Sequence, residues 1–411
     1  MASARSSPTP ASPGHGPLRW SRADARRFLA ALHFTRADLP AVIDRLGSVQ
    51  YDPLRPLGRN HDLVLQARVP GYRVDDWHDA AYRQRLVYDA WDKQACLVPR
   101  SDWRYRRVYH EYFRSAWEKR VLGSHADAVE ATLTELRRRG PLSSLDFEDQ
   151  TRVEAWSGSW YGPKLVKQIL RALWDTGQVV THHRDGGRHV YAVPERVIAE
   201  EELCAPAPSR RDSLRFLILR RHQSAGLLRL SADAGLWSLP ASAAERRSLV
   251  DELVAEGELT PVDVEGDRYH LRTADLSWAE AAPPEPRMTF VAPLDSLMWD
   301  RKALARIFGF DYVWEVYKPE SERRWGYYVL PVFYRDAFVA RFDGRLVGGV
   351  WKLERWWWEP DVKVDDEMLG AFSAAVRGFT HYLGARRVSL GRRMPVATRR
   401  PLAQALAGDD R

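Results

Sequence analysis

The sequence predicts an α+β protein: tandem winged-helix domains followed by a C-terminal β-barrel or antiparallel sheet domain. The first observation behind this prediction is a repeat, in which a helix, a glycine and two short strands occur twice. The glycines that end the two helices, Gly177 and Gly257, lie 80 positions apart. The second observation is a change after Pro286, where short aromatic and β-branched runs alternate with turn residues.

The N-terminal part of the chain predicts a tail and then a first winged-helix-like domain over residues 18–122. Residues 1–17 are rich in Ser, Pro, Gly and Ala, and we expect them to be disordered. Apolar residues then recur at three- and four-residue spacing, and Gly47 and Pro53 are typical of a helix end and a strand end. The predicted elements are helices over Trp20–Phe34, Asp38–Leu46 and Asn60–Ala67 and a strand over Val49–Asp52.

The repeat itself predicts a second winged helix over 123–203 and a third over 204–280. In each copy an amphipathic helix ends at a glycine and is followed by a strand, a polar turn and another strand. The turns and the second strands recur at the same spacing of 80 as the glycines. Helices followed by a hairpin are typical of winged helices. Some winged helices bind DNA, and others mediate protein–protein interactions.

The C-terminal domain is expected over 281–395, with a tail over 396–411. Its aromatic and β-branched runs predict the strands of a barrel or an antiparallel sheet. A helix over Asp366–Leu383 and a last strand over Arg387–Leu390 follow them.

Composition narrows the class of protein. The 411 residues carry a net charge of +7, which favours a polyanionic partner, although an arginine-rich composition from a GC-rich genome gives the same bias. Two cysteines, Cys96 and Cys204, are too few for a disulfide scaffold or a cysteine zinc finger. No apolar run is long enough to span a membrane, and we expect a cytoplasmic protein.

Several common catalytic motifs are missing from the sequence. There is no phosphate-binding loop and no Gly-x-Ser-x-Gly elbow. After His110-Glu111, a zinc-protease helix would need a second His where this chain has Arg114. Three histidines of a predicted hairpin are interpreted as solvated side chains rather than metal ligands, and we expect no metal and no cofactor; they are His182, His183 and His189.

One short polar motif, Gln50-Tyr51-Asp52, could carry chemistry. In a strand, residues two apart project from the same face, so Gln50 and Asp52 should point together while Val49 and Tyr51 pack behind. An amide beside a carboxylate can hold one water, with Asp52 accepting its proton and Gln50 fixing its orientation. The alternative interpretation is a plain polar face of a strand.

The context of this motif resembles the crosslink-repair DNA glycosylases of the YcaQ/AlkZ type. The similarity covers about residues 20–393. It is carried by Leu46–Leu54, Arg59–Tyr72, Trp160–Lys164, Pro293–Asp295, Trp299–Arg301, Phe308–Tyr312, Glu315–Tyr317 and Arg324–Pro331.

The resemblance implies monofunctional excision of alkylated purines, especially N7-alkylguanine, and unhooking of interstrand crosslinks, with no lyase step. It implies Gln50 and Asp52 as the catalytic pair, in the Gln-x-Asp form of the YcaQ branch. The expected partner is double-stranded DNA with alkylated or crosslinked guanine, and we expect a monomer. The expected DNA contacts are Arg59, His61, Lys164 and Lys167, although a solvated basic face explains these residues equally well.

One stretch departs from the family's pattern. Where relatives commonly have Phe-Glu-Tyr-Trp-x-His-Ala-Ala, this chain keeps Trp91 but has Lys93 in place of the His. Tyr51, Trp91 and Lys93 are therefore expected to line the site, with a changed substrate preference or a lower activity. Two other functions stay open: a winged-helix DNA-binding protein without catalysis, and a self-resistance glycosylase specific for one natural-product adduct.

Overall fold

The structure, a computed structural model, describes residues 16–148, 164–282 and 285–407 of the chain. It is a mixed helix and sheet protein, which confirms the predicted α+β class. The predicted tail up to residue 17 falls almost entirely outside the described residues. No helix in the described part of the chain is long and apolar enough to span a bilayer.

The first region places a small sheet among short helices. Both ends of one helix are capped: the Asp38 side chain accepts the N–H of Ala41, and Gly47, the expected helix end, has φ +63°. The predicted strand is shorter than expected and ends at Gln50. The elements of this region are β1 (Leu18–Trp20), α1 (Arg22–Phe34), α2 (Leu39–Leu46), β2 (Val49–Gln50), α3 (Asn60–Gln66), β3 (Val87–Trp91), β4 (Ala95–Pro99) and α4 (Trp103–Trp117).

The two repeated units have the same connectivity. In the described residues, each unit has a helix, then a strand or bridge, and later another helix followed by a terminal hairpin. The hairpin of the first unit belongs to a three-stranded sheet in the order β5-β7-β6, and that of the second to one in the order β1-β8-β9. We call the hairpin 180–192 the first wing and the hairpin 259–272 the second wing. The elements are α5 (Ala126–Arg139), β5 (Leu142–Ser143), α6 (Leu165–Asp175), β6 (Val180–Asp185), β7 (Arg188–Ala192), α7 (Glu200–Cys204), α8 (Arg210–Ala225), α9 (Ala234–Trp237), α10 (Ala243–Ala255), β8 (Leu259–Val264) and β9 (Asp267–Arg272).

The C-terminal region is built on a five-stranded sheet in the order β10-β11-β12-β13-β14. Its two edge strands do not pair with each other in the described residues, so the sheet is open, and β13–β14 is a parallel pair. The predicted barrel or antiparallel sheet is therefore present as a five-stranded sheet with three antiparallel pairs and one parallel pair. The elements are β10 (Met288–Phe290), α11 (Arg301–Phe308), β11 (Val329–Tyr334), β12 (Ala337–Val347), β13 (Val350–Trp358), α12 (Asp366–Tyr382), β14 (Arg387–Leu390) and α13 (Val396–Ala407).

Two elements lie where the sequence predicted none. Strand β1 precedes the expected first helix and includes its first residue, Trp20, because the Ser21 side chain caps α1 and starts that helix at Arg22. Helix α13 occupies most of the predicted C-terminal tail and packs its buried Leu402 into the core. Both elements depend on partners that are distant in the sequence.

The main hydrophobic core joins the first and last regions of the chain. Val49 and Tyr51 belong to the same buried cluster as Phe290, Phe342 and Trp351 of the C-terminal sheet. Burial of each large apolar side chain contributes about 2–3 kcal/mol. The segment that carries Gln50 and Asp52 therefore rests on a core supplied by both ends of the chain.

Candidate active site

The candidate segment leaves the first sheet between its two polar residues. Gln50 pairs with Cys96 of β4, and the Tyr51 N–H donates to the Ala95 carbonyl at 2.9 Å, so the backbone is held up to Tyr51. Alternation along the strand places Gln50 on one face of the sheet and Tyr51 on the other. Asp52 lies past the last hydrogen bond of the ladder.

Asp52 is held by a tight turn rather than by the sheet. Its Oδ1 accepts the N–H of Leu54 at 2.9 Å, across Pro53, which is the local turn that Asp commonly forms. The side chain is half-buried, and no Lys or Arg of the described residues forms an ion pair with it. Burial raises the pKa of the Asp52 carboxyl above its ordinary value, and the Leu54 N–H partly opposes this. Such a carboxylate is suited to accept a proton from water.

Gln50 combines a fixed backbone with an unsatisfied side chain. Its carbonyl accepts from Asn60 Nδ2 at 2.8 Å, and Asn60 Oδ1 accepts the N–H of Leu294 at 3.0 Å. The Gln50 side chain is 7% exposed, and its buried Oε1 has no hydrogen-bond partner among the described residues. A buried acceptor without a partner loses its hydration, so a water or substrate group that donates to it is favoured.

Tyr51 packs behind the segment and is buried. Its ring is stacked on His61 with the centroids 4.5 Å apart, and Arg184 Cζ of the first wing lies 3.8 Å from the ring centroid. As expected, the Tyr51 side chain packs into the core behind the strand. The expectation that Tyr51 lines the site is not met, because its ring is covered on the side away from Gln50.

The structure corrects two of the expected phosphate contacts. His61 is fully buried between Tyr51 and Trp77, and burial lowers its pKa well below the ordinary value. The prediction that it meets a phosphate is therefore wrong. Arg59 is also buried and forms an ion pair with Asp75 at 3.0 Å. It supports the loop from within, and the same correction applies to it.

The two lysines expected to contact DNA lie beside helix α6. Lys167 is exposed on that helix, and Lys164 is half-buried just before its first residue. The preceding part of their motif, 160–163, lies outside the described residues. Contacts of these two lysines with phosphates stay predictions.

The other two expected lining residues, Trp91 and Lys93, contact different parts of the protein. Trp91 packs against Arg171 of α6, with Cζ 5.3 Å from the ring centroid, and against Phe113 of α4, so it lies in the seam between two units. Lys93 is in the β3–β4 turn, with Nζ 5.6 Å from the centroid of Trp299. Burial lowers the pKa of Lys93 to about 8.

Tyr328 is a candidate site residue that sequence reasoning missed. It is buried, and its hydroxyl has no hydrogen-bond partner among the described residues. Burial and, after it, the charge of Asp52 raise the pKa of the phenol well above its usual range, which places Tyr328 near Asp52. The Arg324–Pro331 motif contains this residue, but a motif alone could not single out one tyrosine.

Other residues of the motifs that carry the family resemblance form internal contacts. Arg68 donates to both oxygens of Asp295 at 2.8 and 2.9 Å, and both side chains are fully buried. Glu315 accepts the backbone N–H groups of Trp325 and Arg324 at 2.8 and 3.1 Å. These buried carboxylates are structural, since all of these contacts are internal.

The described residues contain no group of three or more His, Cys, Asp or Glu side chains placed to hold a metal. The arrangement offers instead a half-buried carboxylate and an unsatisfied amide two positions apart. Together they can position and deprotonate one water molecule.

The chain is similar to a known protein family and to a solved structure. The family model described as DNA glycosylase AlkZ-like matches residues 43–383, which include Gln50 and Asp52. The solved structure of the Streptomyces sahachiroi DNA glycosylase AlkZ is similar, with a TM-score of 0.60. That likeness covers 92% of this chain and 100% of that chain at 15% sequence identity, and at this identity it shows the fold alone.

Proposed function

Because the chain belongs to the AlkZ-like DNA glycosylase family, we propose that it excises N7-alkylated purines from duplex DNA and unhooks interstrand crosslinks. The reaction is hydrolysis of the N-glycosidic bond. Water adds to the sugar C1′, the bond from C1′ to the base nitrogen breaks, and the base leaves with that electron pair.

The substrate determines what the protein must supply. An N7-alkylated guanine is cationic and leaves as a neutral base, so no acid is needed to protonate it. The remaining cost is positive charge on the sugar in an oxocarbenium-like transition state. A carboxylate near C1′ stabilises that charge and accepts the proton of the attacking water. Asp52 is proposed for both roles, and Gln50 orients the water.

The observation that carries this proposal is that, within the described part of the chain, the Asp52 carboxylate lacks a cation and the Gln50 side-chain oxygen lacks a donor. The Asp52 carboxylate has no cation partner among the described residues, and Gln50 Oε1 is buried without a donor. Arg68 and Asp295, by contrast, form two hydrogen bonds with each other. A carboxylate without a cation partner, two positions from a buried amide oxygen without a donor, is suited to binding a water molecule.

The test is release of N7-methylguanine from methylated duplex DNA under single-turnover conditions. We expect Asp52→Asn to lower the rate at least about 100-fold and Gln50→Ala at least about tenfold, while both variants keep their affinity for DNA. Asp185→Asn, which changes an exposed carboxylate of the first wing, is the matched control and should act like the wild type. Normal excision by Asp52→Asn would overturn the site assignment.

The same assay examines crosslinks and strand cleavage. A duplex joined by a nitrogen-mustard crosslink should be separated into single strands, each of which stays intact until alkali is added. Because we expect hydrolysis without a lyase step, borohydride should trap no covalent complex. A trapped complex that is lost in Lys93→Ala would instead show that Lys93 forms a Schiff base. A binding protein without catalysis would hold methylated DNA and release no base.

A further inference from the structure

One arginine of the first wing, Arg184, contacts the back of the candidate segment. Arg184 lies on β6, and its Nε and Nη2 donate to Asp89 Oδ1 on β3 at 3.0 and 2.6 Å. Its Nη1 donates to the Gly187 carbonyl at 3.0 Å, within the wing itself. The guanidinium therefore bridges the wing and the sheet that contains β2.

The same guanidinium lies against the residue between Gln50 and Asp52. Arg184 Cζ is 3.8 Å from the centroid of the Tyr51 ring, a distance at which a cation and an aromatic ring attract each other. The wing turn lies beside that ring as well, because a Cβ built on Gly187 would be 3.8 Å from the Tyr51 hydroxyl. Tyr51 is thus held by the wing.

Arg184 is not placed to meet a phosphate. Its side chain is only 6% exposed, and its Nε, Nη1 and Nη2 all donate to internal acceptors. A DNA contact would require breaking a buried ion pair, which is unfavourable. This arginine is therefore part of the protein interior, although it belongs to the hairpin that a winged helix commonly turns towards DNA.

We propose that Arg184 is a positioning residue for base excision: through Asp89 and Tyr51 it fixes the direction in which Gln50 and Asp52 project. This rests on the proposed function of the segment. Asp52 is outside the ladder and is held by one hydrogen bond to Leu54, so the neighbouring Tyr51 is the last anchored residue before it. The planar guanidinium, rather than a positive charge alone, provides both the ion pair and the ring contact.

The experiment compares Arg184→Lys with the wild type in single-turnover excision of N7-methylguanine. Lysine keeps a cation next to Asp89 and favours folding, but it lacks the planar contact with Tyr51. We expect the excision rate constant to fall about 10–100-fold, as misplaced catalytic groups generally do, with DNA affinity within about twofold of the wild type. Arg188→Ala, which removes a 49% exposed arginine of the same wing, is the matched control and should excise normally.

Two further measurements separate positioning from folding and from charge. Combining Arg184→Lys with Tyr51→Leu should lower the rate no further than the larger single change, because both act through one contact. Hydrogen exchange of the amides of 49–54 should increase in Arg184→Lys. An unchanged rate, additive losses, or a loss of affinity shared with Arg188→Ala would each overturn the proposal.

The proposed function can fail separately from this inference. If the wild type released no base from any alkylated DNA, the glycosylase chemistry assigned to Gln50 and Asp52 would fall. Hydrogen exchange would then still decide whether Arg184 holds the segment, because unchanged protection in Arg184→Lys overturns the positioning role on its own.

Discussion

The two wings have the same fold but different contacts. In each, a two-residue turn with positive φ connects the strands: Gly186 and Gly187 in the first wing, Glu265 and Gly266 in the second. These turns lie 79 positions apart, whereas Gly177 and Gly257 lie 80 apart, so the constant spacing expected from sequence is wrong for the wings. The difference arises in β6, where the strand register shifts between Thr181 and His183 and leaves His182 as a bulge.

The position two residues before the turn carries a different side chain in each wing. Counted from the turn, the equivalent of Arg184 is Asp263, which accepts the N–H of Gly266 at 2.9 Å and stabilises its own turn. The second wing pairs with β1 and packs on α1, away from the candidate segment. The two wings thus differ by one inserted residue, and a bulge of this kind redirects the side chains near it. They also differ at one side chain, which is an arginine in contact with Tyr51 in the first wing and an aspartate that stabilises its own turn in the second.

The largest effect is expected from the core of the second wing. Tyr269→Ala should lower the free energy of unfolding by about 3–5 kcal/mol, because Tyr269 is fully buried among apolar side chains. Chemical denaturation measures this. Excision per folded molecule should stay unchanged, and slower excision would mean that the second wing also acts on the site. Val190→Ala, at the equivalent position of the first wing, should cost about 1–2 kcal/mol.

The pH dependence of excision tests whether the ionisation of Asp52 is independent of the second wing. Below the raised pKa of Asp52 the rate should fall about tenfold per pH unit, since only the carboxylate accepts the proton of water. Because burial favours the protonated form, this decline should begin above the ordinary range of an aspartate. Neither Tyr269→Ala nor Asp263→Ala should move it, as neither residue contacts Asp52. Rate–pH profiles of the three proteins, corrected for release by Asp52→Asn, decide this.

Removal of the bulge should convert the first wing to the geometry of the second. Deletion of His182 leaves the pairs of Thr181, His183 and Arg184 with β7 in register but removes the local bend and twist that direct Arg184 to Asp89. We expect single-turnover excision to fall about tenfold or more. His182→Ala keeps the bulge and should excise normally. Equal rates for the two variants would show that the bulge has no part in positioning.

The smallest effect is expected at the turn of the second wing. Asp263→Ala removes one exposed side-chain hydrogen bond, to the Gly266 N–H, and should cost about 0.5–1 kcal/mol of stability without changing excision. Thermal unfolding and the excision assay measure the two parts. A cost of several kcal/mol would mean that the second wing depends on its turn as the first depends on Arg184.

Local signals in the sequence predicted the fold better than they predicted the site. Gly47 ends its helix as expected, and the last strand lies over Arg387–Leu390 as predicted, because caps and alternation act within a few residues. The burial of His61 could not be predicted in this way. It depends on Trp77, a residue 16 positions away whose place beside Tyr51 is set by the tertiary fold.

The same limit explains why the parallel pairing of β14 and the contacts of Arg184 were not predicted. A pattern of strands does not give the direction in which the last strand joins its neighbour, and here β14 pairs with β13 in parallel. Arg184 looked like one more charge on a polar hairpin. Its role depends on Asp89, a partner 95 positions earlier in the chain.

Strand β1 also has a consequence for how the chain is made. Leu18 pairs with Val262, so this strand is synthesised 244 residues before its partner. At about 5–20 residues per second, roughly 10–50 s of translation separate the two. During that time the apolar side of α1, with Phe28 and Leu32, lacks the strands that cover it in the finished protein. We therefore expect nascent chains stopped before residue 259 to need chaperones, and the N-terminal region to become protease-resistant only once the second wing has emerged.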